Sequence, residues 1–114
     1  MTGSPLRIAI IGTGLMGRTV RGLATERGIE VVAELDRAAM SGQADATREV
    51  LSSADVALEF TTPSAATSNI RACLDAGCPV VVGTTGWYDD LPRIAEEVAA
   101  RDGSLLWAPN FSVG

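Results

Sequence analysis

The apolar positions of this chain fall into short runs, and between them lie stretches with helical spacing. Residues 6–11 read LRIAII, an apolar run too short for a helix and ended by glycine, which predicts a buried strand of the kind parallel sheets use. Residues 14–27 then place Met16, Val20, Leu23 and Ala24 on one face of a helix, with Gly28 as the stop. A second strand is predicted over 30–35. Residues 36–53 carry a weak pattern, with helical character confined to 46–51, and read as a loop with a short helix. Residues 55–60 (DVALEF) predict a third strand, 63–75 a helix closed by Gly77, and 79–82 (PVVV) a fourth strand. A helix over 89–101 opens on acidic residues with Pro92 in its first turn, where a missing N–H costs little, and 104–108 is the last strand.

Strand alternates with helix throughout, the signature of a parallel sheet covered on both faces. Right-handed crossovers then predict an α/β, doubly wound parallel sheet of about five strands in the order 3-2-1-4-5. Ligands of such folds sit at the carboxyl ends of the strands.

Composition narrows the chemistry. The 114 residues are 46% hydrophobic and 20% charged, which fits one domain with a core of its own. Fourteen acidic residues against nine basic ones leave a net charge of −5 with no basic block, so a small-molecule partner is expected rather than nucleic acid. The chain contains no histidine and no lysine; all nine cations are arginine. A histidine acid or base, a Schiff-base lysine, a His-ligated metal and a P-loop lysine are therefore excluded, and no catalytic residue is expected within these residues. Cys73 and Cys78 have no further Cys or His to complete a metal shell and read as buried free thiols. Residues 1–5 lack the features of a signal peptide, and no apolar run reaches transmembrane length, so the expected setting is cytoplasmic, without a membrane partner.

The candidate chemistry lies at the predicted strand ends. Gly12-Thr13-Gly14-Leu15-Met16-Gly17 is a G-x-G-x-x-G between the first strand and the first helix. In that place Gly12 permits the tight turn, Gly14 lets backbone approach a pyrophosphate and Gly17 lets helix and strand pack closely, while the helix start favours the anion. A plain βα turn is the rival reading. Asp36 follows the second strand at the distance where a carboxylate accepts ribose hydroxyls, and Arg37 beside it can pair with a 2′-phosphate; a solvated ion pair is the alternative. Glu59-Phe60-Thr61-Thr62-Pro63 ends the third strand, and Gly83-Thr84-Thr85-Gly86-Trp87 the fourth. Each is explicable as a helix entry, with Thr62 as a cap and Gly86 at positive φ. Together they would line the crevice, Phe60 offering an apolar surface and the 83–85 backbone amide contacts. The chain then runs Ala108-Pro109-Asn110-Phe111-Ser112-Val113-Gly114 just past a predicted strand, whose open edge implies a further domain after residue 114.

With G-x-G-x-x-G-R, Asp36-Arg37, E-F-T-T-P, V-V-G-T-T-G-W and A-P-N-F-S-V-G in hand, the chain resembles the amino-terminal half of the dihydrodipicolinate reductase family, also called 4-hydroxy-tetrahydrodipicolinate reductase. The resemblance spans nearly all of it. It implies that residues 1–114 are a Rossmann-like dinucleotide-binding domain holding NADPH or NADH for hydride transfer to a cyclic imine dicarboxylate in diaminopimelate and lysine synthesis. Gly83, Thr84 and Thr85, with Ala108, Pro109, Asn110 and Phe111, would contact the nicotinamide half, and Asp36 and Arg37 would read the ribose and its 2′-phosphate. Substrate contacts and the His/Lys motif of the family would lie in the absent domain, so this chain would bind cofactor without turnover. The parent would be a homotetramer and this chain a monomer or weak dimer. Three departures stand out: Leu15 follows Gly14 directly where the family's loop commonly runs longer, Glu59 replaces an aspartate, and Thr62 stands where Arg or His is often seen. The residues by themselves also admit the nucleotide-binding part of another two-domain dehydrogenase, or a stand-alone NAD(H)-sensing module.

Overall fold

A computed structural model of the chain describes residues 5–42 and 44–107. The elements, in chain order, are β1 (Arg7–Ile11), α1 (Leu15–Glu26), β2 (Glu30–Leu35), α2 (Arg37–Gly42) and α3 (Ala44–Ser52). They continue with β3 (Val56–Glu59), α4 (Pro63–Asp75), β4 (Val80–Val82), a 3-10 turn (Tyr88–Asp90), α5 (Leu91–Ala100) and β5 (Leu105–Trp107). All four strand pairings are parallel, as the alternation predicts.

The order across the sheet is β2-β1-β3-β4-β5, which corrects the expected 3-2-1-4-5. The strands' own residues supply the reason. β2 carries Glu30 and Glu34, both exposed, and Glu34 pairs with Arg21 at 2.8 Å; such a strand suits an edge. β3 has Ala57 and Glu59 fully buried on one face and Val56 and Leu58 half-buried on the other, so it needs an interior seat. The chain therefore steps from β1 to β2 in one direction and returns past β1 to β3. That reversal puts the topological switch point between β1 and β3.

The crossovers sort the helices onto two faces. Ile8 and Ile10 of β1 pack with Ala24 and Val20 of α1, Val56 and Leu58. Ala9, Ile11, Ala57, Val80 and Val82 look the other way, into a larger core with Leu51 of α3, Ala66, Ile70, Cys73 and Leu74 of α4, and Ile94 of α5. On the first face α1 covers β1, and cover thins toward the far edge. In the row Ile10–Leu58–Val81–Leu106, Ile10 is fully buried, Leu58 and Val81 are half-buried, and Leu106 is 60% exposed.

Three local expectations change. Met16 and Leu23, assigned to the buried face of α1, are 43% and 46% exposed, because α1 rests on the sheet through Val20 and Ala24. Residues 36–53 form two helices instead of a loop with one. The Asp36 carboxylate accepts the Ala39 N–H at 2.8 Å and so opens α2, while Thr47 of α3 donates to the Ala39 carbonyl at 2.8 Å. Thr62 holds the N-cap position of α4, with Pro63 as first residue, but makes no capping bond with its side chain. Other punctuation agrees: Gly28, Gly77 and Gly86 all have positive φ. Cys73 and Cys78 are buried free thiols, and burial pushes both above the ordinary thiol range, Cys78 to about 11.

Candidate functional site

A cleft of about 630 Å³ opens over the carboxyl ends of β1, β2 and β3, at the switch point. Its floor is Ile11, Gly12, Thr13 and Gly14; Asp36, Arg37, Met40 and Ser41 form one wall, and Phe60, Thr61 and Thr62 with the first turns of α4 form the other.

The three glycines do three different things. Gly12 has φ +116°, and a Cβ there would stand 2.1 Å from the Phe60 carbonyl oxygen, so the turn passes directly under the β3 end. A Cβ on Gly17 would stand 2.2 Å from the Gly12 carbonyl oxygen, which is the close helix–strand approach that a third glycine serves. Gly14 differs from both: a Cβ there meets nothing within 4 Å. Among the described residues no close approach requires glycine at position 14, yet it faces the cleft as the N-cap of α1. The first N–H groups of α1 have no partner within the helix and stand beside it. The Gly12 N–H is already committed to the Leu35 carbonyl at 2.8 Å, so the anion-facing donors begin beyond it. A loop with open space above its second glycine and a helix start behind it fits a diphosphate.

Asp36 and Arg37 are both exposed and both line the cleft. One Asp36 oxygen is used in opening α2, which fixes the carboxylate at the β2 end and leaves the other free for a ribose hydroxyl. Phe60 also lines the cleft, and its ring lies on Gly83: a Cβ on Gly83 would meet Phe60 Cε1 at 2.3 Å. Gly83 is thus required by the ring, and its N–H is spent on the Glu59 carbonyl at 2.8 Å, as one more rung of the sheet.

Thr84, expected as a crevice residue through its backbone, is buried with its side chain turned inward. Its hydroxyl accepts the Thr61 N–H at 2.7 Å and donates to Glu59. Glu59 also takes the Thr61 hydroxyl and Asn69 Nδ2, the latter at 2.9 Å. The Trp87 indole N–H closes the knot on the Thr84 carbonyl at 2.7 Å. Glycine loop, Asp36-Arg37 and Phe60 are therefore brought together around one cleft. Residues 83–85 are not part of its lining, nor are Leu15, Met16 and Gly17. Ala108, Pro109, Asn110 and Phe111 lie outside the described residues.

Sequence reasoning missed two groups. Ser64, Ala65, Ser68 and Asn69 of α4 line the cleft opposite Met40 and Ser41; the i, i+4 spacing of small polar residues after Pro63 was the available signal. The other was the buried network around Glu59, which the sequence named only within its strand-end motif; the signal was an acid at the end of an otherwise apolar strand. Among the described residues no cluster of three potential ligands for a metal occurs, and no helix is long and apolar enough to cross a membrane.

Solved structures of similar shape include proteins described with NADPH or NADP+. A putative NADPH-dependent oxidoreductase from Desulfitobacterium hafniense superposes with a TM-score of 0.69 at 15% identity, over 94% of this chain and 35% of that one. A biliverdin reductase from Synechocystis, solved with biliverdin and NADP+, gives 0.68 at 18%, over 90% and 37%. At such identities the likeness concerns the fold. Sequence relatives are nearer: 4-hydroxy-tetrahydrodipicolinate reductase of Beutenbergia cavernae is 41% identical over 95% of this chain and 43% of its own length. The enzyme of the same name from Streptomyces coelicolor is 39% identical over 97% and 44%. The chain thus spans less than half the length of these relatives. The family described as "Dihydrodipicolinate reductase, N-terminus" matches residues 6–111, and the chain belongs to that family.

Proposed function

We propose that these residues form the dinucleotide-holding domain of a 4-hydroxy-tetrahydrodipicolinate reductase, with a substrate domain following residue 114. The observation that carries the reading is the contrast among the glycines: Gly12 and Gly17 are required by packing, whereas Gly14 faces open cleft and no close approach among the described residues requires it to be glycine. NADPH or NADH would supply the hydride for reduction of a cyclic imine dicarboxylate. The chain's own part is to bind and orient. Thr13, Gly14 and the α1 start at Leu15, Met16 and Gly17 would face the diphosphate, with Gly12 shaping the turn. Asp36 would accept a ribose hydroxyl, and Arg37 would pair with a 2′-phosphate where one is present. Phe60 would give the nicotinamide half an apolar wall, backed by Gly83, Thr84 and Thr85, and joined by Ala108, Pro109, Asn110 and Phe111. Proton donation and substrate contacts fall to the portion that the longer relatives carry, since this chain has no His or Lys. A cytoplasmic setting, a monomeric or weakly dimeric chain and a tetrameric parent complete the proposal.

Calorimetric titration of the purified chain with NADPH and NADH tests it. Saturable binding with one site per chain is expected, together with no reduction of the imine substrate. A chain that binds neither dinucleotide would falsify the reading.

A further inference from the structure

The proposed function leaves one buried acid unused. Glu59 ends β3 with no exposed surface, and none of the ion pairs among the described residues involves it. Its side-chain partners are neutral donors: the Thr84 hydroxyl, the Thr61 hydroxyl and the Asn69 amide. That set suits the ionised form, because a carboxylate accepts and does not donate. The Asn69 amide nitrogen can only donate, and the Thr84 oxygen, which accepts the Thr61 N–H, keeps its own hydroxyl proton for the carboxylate. A lone buried charge held by dipoles is costly, and folds keep such groups where they act.

Its position says on what it acts. In the binding mode proposed above, on which this inference rests, the glycine loop takes the diphosphate and Asp36 the ribose at the β2 side. The remaining half of the dinucleotide then runs over the ends of β3 and β4, where Glu59 lies directly beneath Phe60, Thr61 and the 83–85 turn. That half carries the nicotinamide ring, which is a cation when oxidised and neutral when reduced. We infer that Glu59 is a positioning residue for this ring, tying the β3 and β4 loops together, and that its negative charge favours the oxidised, cationic form of the bound dinucleotide over the reduced one. A site with that bias assists hydride donation from the reduced ring, since loss of hydride creates the positive charge that the carboxylate favours.

The test separates charge from scaffolding. Glu59→Gln keeps the size and removes the charge, Glu59→Asp keeps the charge, and each is titrated with NAD+ and with NADH beside the unmodified chain. In Glu59→Gln the affinity for NAD+ is expected to fall on the order of tenfold further than that for NADH. In Glu59→Asp the ratio of the two affinities stays near that of the unmodified chain, even if both weaken. A Glu59→Gln chain whose two affinities change by the same factor, or not at all, overturns the inference while leaving the proposed function standing. An unmodified chain that binds neither form removes both. Should Glu59→Gln fail to fold, carbon-13 NMR of the Glu59 carboxyl in the unmodified complex decides: an ionised group at neutral pH, shifted more by NAD+ than by NADH, is expected, and a protonated one overturns the inference.

Discussion

Along the carboxyl edge of the sheet, the β1–β2 end offers backbone and exposed side chains, whereas the β3–β4 end offers a buried knot of polar ones. The first end consists of the glycine turn, the start of α1, Asp36 and Arg37, and most of these groups have no duty in the core. The second consists of Glu59, Thr61, Asn69, Thr84 and Trp87, which hold one another and are mostly buried. At the first end Gly14 and Arg37 can be altered at the expense of ligand alone, whereas Gly17 also serves packing and Asp36 also opens α2. Groups of the second kind are coupled to the fold, so stability and binding change together. Gly12 belongs to both, since it starts the loop at one end and lies against the Phe60 carbonyl of the other.

Breaking that junction is expected to have the largest effect. Gly12→Val would force a β-branched residue to φ +116° and into backbone, costing about 4 kcal/mol or more, read as loss of the cooperative thermal transition. Thr84→Val comes next. It leaves a carboxylate and the Thr61 N–H short of a partner inside the protein and should destabilise by about 2–3 kcal/mol in urea unfolding, with weakened dinucleotide binding. Gly14→Ala sharpens the contrast from the other side: stability within about 1 kcal/mol of the parent, the cost of alanine at an N-cap, but dinucleotide affinity lower by about tenfold as the methyl enters the cleft. Equal losses in stability and affinity there would dissolve the distinction between the two ends.

Arg37→Ala is expected to leave melting unchanged and to lower the ratio of NADP to NAD affinity, on the order of tenfold if the guanidinium pairs with a 2′-phosphate. A ratio that does not fall would remove that role. The smallest effect belongs to a pair outside both ends, where Arg71 of α4 grips Glu97 of α5 at 2.9–3.2 Å. The hydrogen bonds from Arg71 hold the Glu97 carboxyl below the ordinary glutamate range. A depressed folded-state value means stability that is present above the unfolded value and lost as pH falls through the folded one. Glu97→Gln should therefore remove a slight acid-side decline in melting temperature, with no change in dinucleotide binding.

Much of the fold could be read from the residues in order. The runs LRIAII, EVVAEL, DVALEF and PVVV are too short and apolar to be anything but buried or half-buried strands, and Gly28 and Gly77 mark helix ends by left-handed backbone. The G-x-G-x-x-G was legible because each glycine's role is local to one turn. α2 was not: its sequence, RAAMSG, has no periodicity, and the helix is opened by the Asp36 carboxylate and tied to α3 by Thr47. The inward turn of the Thr84 side chain was not legible for a related reason, because a side chain at a strand end faces cleft or core according to what its neighbouring strand supplies.

The sequence by itself determined which stretches become strands and, α2 apart, which become helices, where the chain turns, and which family it belongs to, since these depend on local sterics, spacing and motif. Tertiary structure decided the strand order, the switch point between β1 and β3, the meeting of Met40 and Ser41 with Ser64 and Ser68 across one cleft, and the burial of Glu59. These depend on which strand takes an edge and which an interior seat, and that choice follows from burial summed over the whole sheet.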